Sequence, residues 1–225
     1  MGRSSDGERT RLARVFTGYR DDPRRRVAWD AGNPGNAAIR DELARATLAA
    51  LAERDSGGLL LDAGCGSGWW LQRLRDEGIA ANRLAGVELL ADRAQVARER
   101  VPGAHVLCDD IRRLPFEPDS CAMVTLFTVL SGMASAADVQ SALAEARRVL
   151  APGGAVVVWE PRVITRNPDT RLIRRRELHR GLGPNVRARS ITVAPPLARR
   201  AAWAYTGLAA LPPLRSHRLF VARPG

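Results

Sequence analysis

Lysine is absent from this chain: the 35 Lys and Arg positions are all arginine. Without an ε-amine no Schiff base forms with a carbonyl substrate, and the phosphate loop ending in Gly-Lys-Ser/Thr cannot be completed. Pyridoxal enzymes, class I aldolases and P-loop nucleotide hydrolases are therefore excluded. Cysteine is scarce and odd in number: Cys65, Cys108 and Cys121 show no C-x-x-C spacing. Neither a disulfide framework nor a zinc site is indicated. With only His105, His179 and His217 to add, no metal site is expected. Long hydrophobic runs are missing too. The longest apolar stretch, Ala201–Leu214, is too short for a bilayer and is interrupted by Pro212-Pro213. Met1–Val15 is polar and Arg-rich, without the apolar region of a secretory signal. The expectation is a reduced, cytoplasmic compartment and no membrane partner.

What remains is a 225-residue chain with 45% hydrophobic residues, enough for one domain with a substantial core. The net charge of +11 is unevenly placed. Residues 1–58 sum to +2 and 59–161 to −3, whereas 162–225 hold 14 Arg against two acids. A basic excess of that size points to an anionic partner or, more plainly, to the codon bias of a GC-rich genome.

Residues 1–36 are rich in Arg, Asp and Gly and end in the turn signal Asn33-Pro34-Gly35-Asn36. From Ala37 to Arg54 apolar residues recur at helical spacing, and Ser56-Gly57-Gly58 ends that helix. Strand and helix patterns then alternate. Strands are predicted at Leu59–Ala63, Arg83–Leu89, His105–Cys108, Ala122–Phe127 and Ala155–Trp159, with helices at Trp69–Glu77, Asp92–Arg100 and Asp138–Leu150. Such alternation implies βαβ units and a parallel sheet. After Pro161 an Arg-rich stretch precedes a short strand near Ser190–Val193, a helix from Pro196 to Leu211 and a last strand near Arg218–Ala222.

The most informative segment is Leu59-Leu60-Leu61-Asp62-Ala63-Gly64-Cys65-Gly66-Ser67-Gly68. A strand enters a turn of three alternating glycines and a helix follows, so backbone can approach a ligand closely beside free N–H groups. The dinucleotide spacing G-x-G-x-x-G fails, because Trp69 or Leu71 stands where the last glycine belongs. A tight turn alone would also use these glycines. The acids supply the second observation. Glu88 ends the second strand, where a carboxylate accepts ribose hydroxyls, and Asp109 and Asp110 follow the third. Acids without Lys suit a ribose and purine that carry no phosphate.

Leu60–Gly68, Glu88, Asp110 with Leu114-Pro115-Phe116, and Glu145–Gly154 together resemble the class I S-adenosylmethionine-dependent methyltransferases of the small type 11 family, over about residues 40–160. The resemblance implies an α/β, Rossmann-like sheet of seven mostly parallel strands, helices on both faces and an antiparallel last strand. It implies a lid over 1–36, an S-adenosyl-L-methionine-binding core over 37–161 and an acceptor-side segment over 162–225. Asp62, Gly64, Cys65, Gly66 and Gly68 would hold the methionine part, and Glu88 the ribose. Asp110, beside Asp109, would meet the adenine amino group, with Leu89 and Ile111 sandwiching the ring. Phe127 and Thr128 would line the sulfonium region, and Tyr19 would join from the lid. Simple core packing also explains Leu89, Ile111 and Phe127. In place of the usual Phe-Asp at the start of the fourth strand stands Cys121-Ala122, which removes a carboxylate used by metal-dependent relatives.

The flanks, Trp159-Glu160-Pro161, Thr192–Arg200 and Leu211–His217, are similar to a bacterial subgroup associated with polysaccharide and glycosylated natural-product pathways. That implies O-methylation of a sugar-like small molecule, with N- or C-methylation or nucleic-acid methylation as alternatives. Glu160, His179 and His217 are the candidate bases; a capping or Arg-paired role for Glu160 and a structural role for His217 stand beside that reading. Nucleic acid is disfavoured, because Thr125-Leu126-Phe127-Thr128 replaces the Asn/Asp-Pro-Pro-aromatic stretch and no Pro-Cys nucleophile is present. A non-catalytic cofactor-binding protein is the remaining rival. Arg162, Arg174 and Arg187 are candidates to meet an anionic acceptor, and the chain is expected to act as monomer or homodimer.

Overall fold

The computed structural model describes residues 5–22, 30, 32–53, 57–163 and 169–224. It begins with α1 (Ser5–Asp21) and α2 (Pro34–Ala52), the latter capped by the Asn33 side chain, which accepts from Gly35 and Asn36 N–H. Then come β1 (Leu59–Ala63), α3 (Trp69–Asp76), β2 (Leu84–Glu88), α4 (Ala91–Arg100), β3 (His105–Cys108) and β4 (Cys121–Phe127). They are followed by α5 (Ala136–Val149), β5 (Leu150–Pro161), α6 (Arg175–Leu182), β6 (Val186–Val193), α7 (Pro195–Arg200), α8 (Tyr205–Ala209) and β7 (Arg215–Ala222). No helix among the described residues is long and apolar enough to cross a membrane.

The seven strands form one sheet in the order β3-β2-β1-β4-β5-β7-β6. β1 pairs in parallel with both β2 and β4, so the chain steps outward to β3 and then crosses back to the other side of β1. That reversal opens a crevice at the carboxyl ends of β1 and β4, where open α/β sheets bind ligands. β7 is antiparallel and lies between β5 and β6, as its pairings Val158–Phe220 and Ala188–Phe220 show.

Alternation along each strand feeds two cores. Leu60, Met123, Val157 and Trp159 face α2, α3, α4 and α7 through Leu43, Leu71, Ala97 and Ala198. Leu61, Val124, Val156 and Val158 face α5 and α6 through Val139, Leu143, Leu178 and Leu182.

Two sequence expectations are corrected, and one helix was not foreseen. The single helix from Pro196 to Leu211 is broken into α7, a 3-10 turn at Ala202–Ala204 and α8, because Ala201 leaves the helical region at φ −133°, ψ 48°. β6 begins at Val186 rather than Ser190, since β7 supplies partners along its whole length. Ser5–Asp21 is helical although its apolar residues are too sparse to announce it.

Candidate cofactor crevice

The glycine loop is pinned before it reaches the crevice. Gly64 and Cys65 both donate to Val87 O, at 2.8 and 3.0 Å, tying the loop to the end of β2. Gly64, Gly66 and Gly68 have φ of 87°, 55° and 77°, a region that L side chains rarely adopt. At Gly64 any Cβ would also run into Val129.

Glu88 closes the opposite wall. It is buried, accepts from Gly66 N–H at 2.9 Å on Oε2 and from Leu90 N–H at 3.0 Å on Oε1. Arg93, from the first turns of α4, brings its Nε to 3.8 Å from Glu88 Oε2 and its Nη2 against Gly66. The same guanidinium lies 3.9 Å from the Phe16 ring of α1.

Asp110 is buried at the end of β3, and its neighbours largely occupy it. Arg112 Nε and Nη2 reach its oxygens at 2.6–3.0 Å, Arg112 N–H donates at 2.9 Å, and Ser5 Oγ of α1 donates at 2.7 Å. Arg112 Nη1 continues to Asp138 at 2.6 Å. Burial works against ionisation of Asp110, but Arg112 and Ser5 overcome it and hold the carboxyl below its usual range. Asp109 is exposed and accepts from Asp110 N–H. It lines a shallow cleft of about 510 Å³ with Arg113, Phe116 and Arg148, outside the crevice.

Asp62 sits beneath the loop, opposite Thr125 of β4, whose Oγ1 donates to it at 2.8 Å. Desolvation pushes its carboxyl up to about 7. Burial also pushes the Cys65 thiol up, which keeps it protonated. Leu89 is half-buried and Ile111 buried. Phe127 is half-buried in edge contact with Trp70, at 5.5 Å, and Trp159, at 6.4 Å. Thr128 follows with φ 55°, a strained conformation for a β-branched residue, fixed by its N–H bond to Trp159 O at 2.8 Å. The side chain of Tyr19 lies outside what the structure describes.

The three candidate bases each have a local occupation. Glu160 is fully buried at the end of β5, where Oε1 accepts from Leu130 and Ser131 N–H at 2.8 and 3.3 Å and caps the turn after β4. Burial raises it to about 7. His217 stacks on Trp159 at 4.4 Å and 16°, with Nδ1 2.9 Å from Ser216 Oγ. Burial lowers it to about 4, so it is neutral at pH 7. His179 accepts from Arg175 Nε at 2.8 Å on α6. Arg162 donates to Ser190 Oγ and Pro212 O, while Arg174 and Arg187 are exposed. Sequence reasoning missed Phe16, Arg93, Arg112 and Ser5. Arg93, five positions after Glu88, is the one whose spacing offered a signal.

The fold is a seven-stranded α/β, Rossmann-like sheet with a glycine-loop crevice, the architecture that the sequence resemblance to class I methyltransferases implies. Residues 61–158 match a family model described as a methyltransferase domain. A malonyl-[acyl-carrier protein] O-methyltransferase of Serratia marcescens is 33% identical over 110 residues, covering 49% of this chain and 41% of the relative. A dTDP-3-amino-3,6-dideoxy-alpha-D-glucopyranose N,N-dimethyltransferase of Streptomyces fradiae is 34% identical over 125 residues, 53% of this chain and 48% of the relative. The chain thus spans about half the length of the curated relatives it matches. Geranyl diphosphate C-methyltransferase from Streptomyces coelicolor shares the fold, with a TM-score of 0.61 at 16% identity over 82% of this chain and 77% of the other.

Proposed function

We propose that this protein transfers a methyl group from S-adenosyl-L-methionine to a small-molecule acceptor, a hydroxyl or amino group of a sugar-like scaffold. The observation that carries the reading is the pairing of a glycine turn with a buried carboxylate: Gly64, Gly66 and Gly68 are at positive φ, and Gly66 N–H donates to Glu88 at 2.9 Å. The donor set fits the group. Glu88 suits the ribose hydroxyls, being a buried carboxylate at the end of its strand. The bound cofactor supplies an electrophilic methyl for in-line displacement. The chain's own residues do the rest: the loop holds the methionine part, Thr128 fixes the turn beside it, and α1 covers the crevice through Ser5 and Phe16. Residues 162–225, which add β6 and β7 to the sheet, supply the acceptor side. Holding the acceptor lone pair about 3 Å from the methyl and excluding water provides most of the acceleration.

An amine acceptor is favoured over a hydroxyl by one observation. His179 and His217 are held by structural partners, and Glu160 is tied down at Oε1 while its buried Oε2 has no hydrogen-bond partner; a neutral amine carries its lone pair without a protein base. The relative named for an amino sugar points the same way, and the malonyl O-methyltransferase points to oxygen. Calorimetric titration with S-adenosylmethionine tests the cofactor reading: saturable binding is expected, and its abolition by Gly66→Val. Labelled methyl transfer to nucleotide-linked amino sugars and to their hydroxyl analogues then tests the acceptor. Incorporation into bulk RNA alone would overturn it.

A further inference from the structure

Trp203 is 92% exposed, on the 3-10 turn between α7 and α8. An indole that touches so little of its own chain is not packing anything. Around it, residues 201–214 carry no charged side chain, and Leu211 is 51% exposed in the same stretch. Thr206, Gly207, Ala210, Pro212 and Pro213 are exposed as well. Contiguous exposed apolar surface marks an interaction site.

Arginines border this stretch. Arg199 and Arg200 close α7 just before it and Arg215 opens β7 just after it. Arg45 of α2 lines the hollow beside Tyr205 and Ala210, and Arg162 is tied to Pro212 O. Arg215 is neutralised by Glu42, and Arg162 donates to neutral oxygens. The whole segment 162–225 holds 14 Arg and two acids.

We propose that this face is a docking surface for an anionic lipid bilayer, with Trp203 and Leu211 at the level of the headgroups and the flanking arginines on lipid phosphates. Three observations select that occupant. An amphipathic indole among small apolar residues suits a bilayer interface. The exposed Arg45 and Arg200 beside this stretch supply cations for lipid phosphate. A second copy of the chain is disfavoured, because a two-fold contact would set this arginine border against itself. The expectation of no membrane partner rested on the lack of a spanning segment, which leaves attachment at the surface open. The proposal is independent of methyl transfer.

The test is co-sedimentation with vesicles of phosphatidylcholine alone and of phosphatidylcholine with phosphatidylglycerol, read with Trp emission. Binding to the anionic vesicles only, a blue shift, and weakening by salt are expected. Trp203→Ser should remove the shift and weaken partitioning at least tenfold. Arg45→Gln with Arg200→Gln should weaken it about fivefold per charge. Arg75→Gln, on α3, is the control for charge alone. An exposed side chain can be changed without unfolding, which unaltered S-adenosylmethionine affinity would verify. Equal binding by wild type, Trp203→Ser and the arginine variants would overturn the proposal. So would sedimentation mass that falls on Trp203→Ser without lipid, which assigns the face to a second copy. Capture of poly-glutamate in preference to anionic vesicles would assign it to an acidic protein.

Discussion

Gly66 and Glu88 are 22 residues apart in the chain and 2.9 Å apart across the crevice, the backbone N–H of one donating to the carboxylate of the other. That bond ties the most permissive backbone of the loop to the acid at the end of β2. It makes the loop's shape and the acid's position one feature.

Glu88→Ala is therefore expected to cost about 1–3 kcal/mol of cofactor affinity, on the order of five- to 150-fold in dissociation constant. Calorimetric titration with S-adenosylmethionine measures it. An unaltered constant would move the ribose contact elsewhere.

Glu160→Gln separates structure from chemistry. The carboxyl rises to about 7 in the folded state, against about 4.3 unfolded. The folded protein thus holds a proton that the unfolded chain releases between those values. The resulting stability is full below about pH 4 and is lost as pH rises through 7. The neutral variant, still accepting from Leu130, should melt higher than wild type at pH 8, an advantage gone by pH 4. Turnover should change by no more than a few fold. A loss of about 10² or more would reinstate Glu160 as the base.

His217→Phe tests the opposite sign. Burial lowers this imidazole to about 4, against about 6.5 unfolded. Its stabilisation is full above pH 6.5 and is lost as pH falls toward 4, where the unfolded chain gains a proton first. Phenylalanine keeps the stack on Trp159 and cannot titrate. The melting-temperature difference, wild type minus variant, should shrink from pH 7 to pH 4. Because Glu160 and Asp62 titrate the other way, the difference rather than either curve carries the result.

Phe16→Ala removes the ring under Arg93. An exposed cation–π contact is worth about 0.5–1 kcal/mol, so amide exchange in α1 should quicken about two- to fivefold. Unchanged exchange would mean that Ser5 on Asp110 and Arg11 on Gly132 hold the helix without it.

Much of the site was legible because its chemistry is local. The alternating glycines, the acid 20 residues beyond them and Asp110 before Leu114-Pro115 are spacings, and spacing survives in one dimension. The strand positions were legible too, since parallel strands buried on both faces read as apolar runs. α1 was not legible: its contacts to Asp110, Gly132 and Arg93 are made over ranges of about a hundred residues, and its own composition announces nothing. The break at Ala201 escaped as well, because apolar periodicity continued through it.

The chain by itself determined the sheet's parallel core, the glycine loop and the acids around it, through hydrophobic period and residue spacing. It also determined what is impossible here, above all any chemistry that needs a lysine. Only the tertiary structure decided the occupations: Glu160 as a cap, His217 as a stacked neutral ring, Asp110 shared between Arg112 and Ser5. Titratable residue types are visible in sequence, but a group's protonation and reach depend on burial and on partners brought from distant segments. Trp203 shows the same division. Its apolar neighbourhood was readable as a stretch too short to span a bilayer, and only folding revealed that the indole is left outside.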